Sequence, residues 1–180
     1  MIKRLIIFIL ICSSLQGFNA IAQDFIVTKS GDTLKGTLNK NFLGKLILHV
    51  RGDKEIEVSI EEVKSYYFAT KGTLFIAKEI PKKNKPSYVE ALERGRINLY
   101  EYKVKTPEGI IITTWFATKD NDVLEDIITS QLFSKVKPRE ELFIKLISDN
   151  DSLLAAYKLE KKYNFDVKRN YIKSYNLAAR

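Results

Sequence analysis

From residue 24 to about 118, apolar and polar residues alternate in short runs broken by glycine-bearing turns, the period-two pattern of half-buried strands. Phe25-Ile26-Val27-Thr28, the turn Ser30-Gly31-Asp32 and the run 33–38 read as a hairpin. Residues 46–50 and 55–58 flank Arg51-Gly52-Asp53-Lys54 as a second hairpin. In its outer strand Glu55 and Glu57 alternate with Ile56 and Val58, so one face is wet and the other buried. Ser59-Ile60-Glu61-Glu62 reads as a single helical turn. Strands follow at 63–70, 73–80, 88–92, 97–102 and 110–117. The stretch 81–86 is expected outside the sheet, because its two prolines lack donors and its lysines need water. About nine strands with hairpin-length connections predict an antiparallel meander, curled or rolled into a partial barrel.

Beyond residue 118 the period becomes helical. Asp122-x-x-Glu125 has the form of a capping box, and Val123, Leu124, Ile127 and Ile128 recur at helical spacing. A helix is therefore expected over 122–130, although the run 123–128 also suits a strand. Pro138 opens another helix at its first position, with Leu142, Phe143, Leu146 and Ile147 as its apolar stripe. Residues 149–151 offer a stop and a new cap. Leu153, Leu154 and Tyr157 then share a face, as do Val167, Tyr171 and Tyr175 after the candidate cap Asp166. Helices this short do not stand alone in water and must dock on one another or on the sheet. The expected fold is α+β: an antiparallel β-rich body over 23–118 and a tail of short helices over 119–180.

The first twenty-two residues change the picture of where the chain works. Lys3 and Arg4 precede an uninterrupted apolar run over 5–12, and a more polar stretch ends in Ala20-Ile21-Ala22 before Gln23. This is the order of a signal peptide with its small-x-small cleavage site. A membrane anchor needs about 20 apolar residues, and this segment is broken by Ser13, Ser14, Gln16, Gly17 and Asn19. Cys12 does not suit a lipoprotein site, since the preceding Ile11 is bulky. Cleavage is expected to leave 158 residues without cysteine, transmembrane span or disulfide framework, and to lower the net charge from +8 to +6. An exported basic protein meets anionic lipid, lipopolysaccharide or peptidoglycan rather than nucleic acid, although evenly spread positive charge also serves solubility alone.

Candidate chemistry is sparse. His49 is the only histidine, too little for a zinc site, and no metal or cofactor is implied. Ser134-x-x-Lys137 and Ser148-Asp149-Asn150 echo penicillin-recognising enzymes, but no Lys-Thr-Gly follows. Arg51-Gly52-Asp53 matches an adhesion tripeptide and equally matches hairpin-turn chemistry. Asp120, Asp122, Asp149 and Asp151 lack the glycine and glutamate of a calcium loop. Glu61-Glu62 and Glu140-Glu141 are adjacent, and neighbours on a helix point about 100° apart, so neither is a catalytic dyad.

Two binding features remain. Lys82, Lys83 and Lys85 crowd a proline-bounded loop and are expected to project into water, as a solvated connection or as a contact for an anionic surface. Tyr66, Tyr67, Phe68, Tyr88, Tyr100, Tyr102, Trp115 and Phe116 lie in the strands. They fill the core or, where several share an exposed face, stack on sugars or grip a protein.

The hairpin Ile26-Val27-Thr28-Lys29-Ser30-Gly31-Asp32-Thr33-Leu34-Lys35-Gly36-Thr37-Leu38 carries a Gly-Asp-Thr-x-x-Gly motif. With the signal peptide, the central run 88–100 and the ending 147–176, it resembles a group of uncharacterised exported envelope proteins of Gram-negative bacteria. The resemblance implies compartment and architecture and assigns no catalytic residue. The expected function is that of a non-enzymatic envelope protein in the periplasm or cell envelope, binding a protein, glycan or anionic surface. The alternative is a small hydrolase or sugar-active enzyme using Asp, Glu, Tyr or Ser groups.

Overall fold

Alternation at period two becomes ten strands in one open, wholly antiparallel sheet. The structure, a computed structural model, describes residues 23–179 except 53, 82, 84, 121–122 and 132–134. The expected signal peptide with Cys12, and Asp53, Lys82, Asp122 and Ser134, lie outside the described residues. The strands are β1 (Asp24–Thr28), β2 (Thr33–Lys40), β3 (Leu46–Val50), β4 (Lys54–Glu57), β5 (Val63–Phe68), β6 (Thr73–Glu79), β7 (Pro86–Glu93), β8 (Ile97–Lys105), β9 (Ile111–Lys119) and β10 (Glu125–Thr129). Their order is β10-β9-β8-β7-β6-β5-β1-β2-β3-β4, so the expected meander is split: β5 leaves β4 and pairs with β1. The helical turn at 59–62 carries that crossover, closed by a Val63 N–H to Ser59 carbonyl bond of 2.9 Å.

The curl of the sheet has a local cause. β2 pairs with β1 over Thr33–Gly36 and with β3 over Thr37–Lys40, turning a corner at Gly36. A Cβ there would lie 2.1 Å from the His49 carbonyl oxygen, so only glycine allows the backbones this close. Past the corner, the Asp24 carboxylate accepts the Leu38 and Ala69 N–H groups, both at 2.8 Å, and continues the ladder where β1 has ended. The bend brings Leu38 and Leu48 onto Ile26, Val58 and Val63 as a first core.

Three helices follow: α1 (Val136–Ile147), α2 (Asp151–Lys158) and α3 (Phe165–Ala178). They cover β7–β10, where Ile97, Leu99, Ala117 and Ile127 pack against Phe143, Leu146, Ile147, Tyr157, Ile172 and Tyr175 in a second core. The tail thus docks both on the sheet and on itself. Asn176 fixes α3 to the start of β8: its Oδ1 accepts the Ile97 N–H at 2.9 Å and its Nδ2 donates to the Ile97 carbonyl at 2.7 Å. A Cβ on Gly95 would sit 2.4 Å from Asn176 Cγ, so this contact needs glycine as well. A third cluster, with Val89, Tyr100, Phe116 and Leu124, lies on the other face of the sheet.

Four local expectations are corrected. The helix expected over 122–130 is strand β10, which pairs with β9 through a register shift between Asp126 and Ile128. Its apolar positions suit either period, and the open edge of β9 offers partners for its N–H and C=O groups. Pro86 is not outside the sheet but opens β7 opposite Glu79; a first strand residue needs no donor. Pro138 stands third in α1, still among the N–H positions that lack helical acceptors. The cap of α3 is Asn164, whose Oδ1 accepts the Val167 N–H at 3.0 Å, while Asp166 lies in the first turn. Among the described residues no helix is long and apolar enough to cross a membrane.

Candidate functional site

Cross-strand register lines up one residue from each of eight strands: Leu34, Ile26, Tyr66, Phe75, Glu90, Glu101, Trp115 and Ile128. Directly paired residues share a face, with Cβ atoms about 4.5–5.5 Å apart. Six members of this row are apolar or aromatic, and the two carboxylates stand between Phe75 and Trp115. Glu90, Glu101, Phe75 and Trp115 are half-buried and lie between the first core and the helix-covered core.

The carboxylates are held by their neighbours. The Trp115 indole N–H donates to Glu101 Oε2 at 3.0 Å. Lys103, two positions along β8 on the same face, forms an ion pair with Glu101. The Lys103–Glu101 hydrogen bond, reinforced by the charges of Glu101 and Glu90, raises the Lys103 pKa. Like charges directly opposite destabilise a strand pair, and Lys103 offsets this. Around them stand ring faces: Tyr66 stacks on Phe75 at 4.8 Å, and Trp115 stacks on Phe165 of α3 at 4.5 Å. Burial, with the Glu90 charge second, pushes the Tyr66 hydroxyl up to about 12, so it stays a neutral donor. Tyr88 meets Tyr66 edge-on at 4.8 Å, and its hydroxyl lies 3.1 and 3.0 Å from the Ser59 and Val63 carbonyls, pinning the crossover. The arrangement offers apolar ring faces beside paired acceptors and an ammonium donor.

The expected site residues fare differently. Lys83 is exposed, and its Nζ lies 3.1 Å from the Tyr102 hydroxyl and 4.9 Å from that ring's centroid. Lys85 is exposed as well, and Lys82 lies outside the described residues. His49 pairs with Glu55 at 3.2 Å. Asp149 is a junction rather than an enzyme motif: Lys119 at 2.6 Å, Arg96 at 3.0 Å and the Tyr175 hydroxyl at 2.8 Å all meet it. The Lys119 hydrogen bond chiefly holds its pKa down at about 2, with the Tyr175 hydrogen bond adding to it. A groove of about 870 Å³ runs beside the β2 corner, lined by Lys35, His49, Arg51 and Thr70. Its Asp24 carboxylate is already engaged by backbone. Among the described residues no three His, Cys, Asp or Glu side chains converge as metal ligands.

Of the aromatic residues named from sequence, Tyr66, Tyr88 and Trp115 belong to the row's face, Phe68 packs on the first core, and Tyr100 and Phe116 fill the opposite cluster. The sequence by itself does not mark Glu90 and Glu101 as a pair. Their signal is a charge where alternation demands an apolar residue: Glu101 follows Ile97 and Leu99 on one face, and Glu90 stands between Tyr88 and Leu92. The chain matches no protein-family model, no curated protein and no solved structure.

Proposed function

We propose that this chain is an exported envelope protein that binds a glycan across the Tyr66–Trp115 row without chemically changing it. The observation that carries this reading is the half-buried carboxylate pair set into a row of rings. Ring faces stack on the apolar faces of sugars, while Glu90 and Glu101 accept hydroxyl hydrogens and Lys103 donates. A carboxylate-centred site does not suit an anionic surface. Export is supported by the character of residues 1–22 and by the resemblance to envelope proteins.

The test uses mature protein, starting at Gln23, with peptidoglycan fragments and with chitin and cellulose oligomers. Trp115 is the only tryptophan, so its fluorescence reports directly on the site. Binding is expected to change that emission. Glu101→Gln and Phe75→Ala should each weaken binding about ten-fold or more, as loss of one charged hydrogen bond or ring contact requires. Absence of binding by every oligomer overturns the reading. Release of new reducing ends that depends on Glu90 and Glu101 replaces it with the hydrolase alternative, because paired carboxylates are also the equipment of glycoside hydrolysis.

A further inference from the structure

Between β10 and the first turns of α1 and α3 lies a cavity of about 360 Å³. Ligand pockets run from roughly 300 to 1,000 Å³, so this one suits a small molecule. Trp115 and Phe165, stacked on each other, form an apolar wall with Ile127 and Val136. Lys168 and Arg139 also line it. The Lys168 side chain is 3% exposed, with its Nζ 3.0 Å from a Glu140 carboxylate oxygen and 3.0 Å from the Ile127 carbonyl. An ammonium has three donors, so these partners leave one N–H over. Arg139 places Nε and Nη2 on Asp126 at 2.8 and 2.7 Å and Nη1 on the Lys135 carbonyl at 2.9 Å, leaving two of its five N–H groups. Of the acceptors beside them, Asp126 is engaged by Arg139 and Asn164 Oδ1 by the Val167 N–H, while the buried Glu140 carboxylate meets Lys168. The cavity sets the cationic donors of Lys168 and Arg139 beside an apolar wall.

We propose that this cavity binds a small monocarboxylate with an apolar body, a short acyl or aryl acid. Its carboxylate meets the spare N–H groups of Lys168 and Arg139, and its body lies on Trp115 and Phe165. Charge-assisted bonds of this kind are about twice as strong as neutral ones, which favours the acid over an equally apolar alcohol. The site is distinct from the carboxylate pair and shares Trp115 and Ile128 with the row.

The experiment titrates mature protein with octanoate and 4-phenylbutyrate, and with the matching alcohols, by calorimetry and Trp115 fluorescence. Both acids are expected to bind, and the alcohols about ten-fold more weakly or worse. Arg139→Gln leaves the Lys168–Glu140 pair in place and should remove most of the acid's advantage while the alcohols bind as before. Lys168→Met should do the same; if the variant fails to fold, because Glu140 is left buried alone, Arg139→Gln decides. Equal affinity for acid and alcohol overturns the inference. So does an absence of binding by either acid at millimolar concentration, or an Arg139→Gln variant that keeps the full preference.

Discussion

Asp149 shows how one side chain joins elements distant in sequence. It sits just beyond α1 and receives Lys119 from the end of β9, Arg96 from before β8 and Tyr175 from α3. Because its folded pKa is held at about 2, below an ordinary aspartate near 3.9, it stabilises the fold above about pH 4. That contribution fades as pH falls towards about 2, where the carboxylate protonates in the folded state as well. Asp149→Asn is therefore expected to unfold at lower urea than the parent near pH 7, with the two converging near pH 2. Urea midpoints measured across that range check this; a constant gap would place the effect in packing rather than charge. The carboxylate is more than one-third exposed, so solvent screening keeps the gap modest.

At the scale of the element, the β2 corner decides how the first core closes. Strand propensity alone would run β2 straight, leaving Leu38 and Leu48 away from Ile26. Glycine at 36 lets β3 approach, and Asp24 satisfies the N–H groups that the bend would orphan. Gly36→Ala forces a Cβ against the His49 carbonyl, a backbone atom that cannot swing aside. A loss of about 2–3 kcal/mol is expected, the upper range for overpacking, and urea unfolding measures it. Strand β10 teaches the complementary lesson. Val123, Leu124, Ile127 and Ile128 satisfy a helix on paper, but β9 presents an unpaired edge and Ile127 fills the space beneath the helices. The buried stripe of α3 runs through Lys168, Ile172, Tyr175 and Asn176, with the expected Val167 and Tyr171 partly buried beside it; the two polar residues find backbone partners there.

Across the whole molecule, one continuous sheet links the two main cores, so they are expected to unfold together. Ile26→Ala empties the first core at a fully buried position and should cost about 2–5 kcal/mol. Trp115 lies on the helix-covered core, and its fluorescence transition should shift with the circular-dichroism transition by the same amount. An unchanged Trp115 transition would show two independent units instead.

Alternation and turn chemistry in the sequence determined nine of the ten strands to within a few residues, the helical nature of the tail and the buried stripes of α1 and α2. These are local properties: period two or 3.6, a glycine or asparagine at a turn, a cap before an apolar run. The tertiary structure alone decided the split meander, the pairing of β10 and the meeting of Glu90 with Glu101. Register between strands depends on the corner at Gly36 and on bulges such as that between Ala91 and Glu93, which no single strand encodes. Lys168 and Arg139 face the same cavity for a similar reason. They lie on different helices, and only the packing of both helices on one sheet brings their charges together.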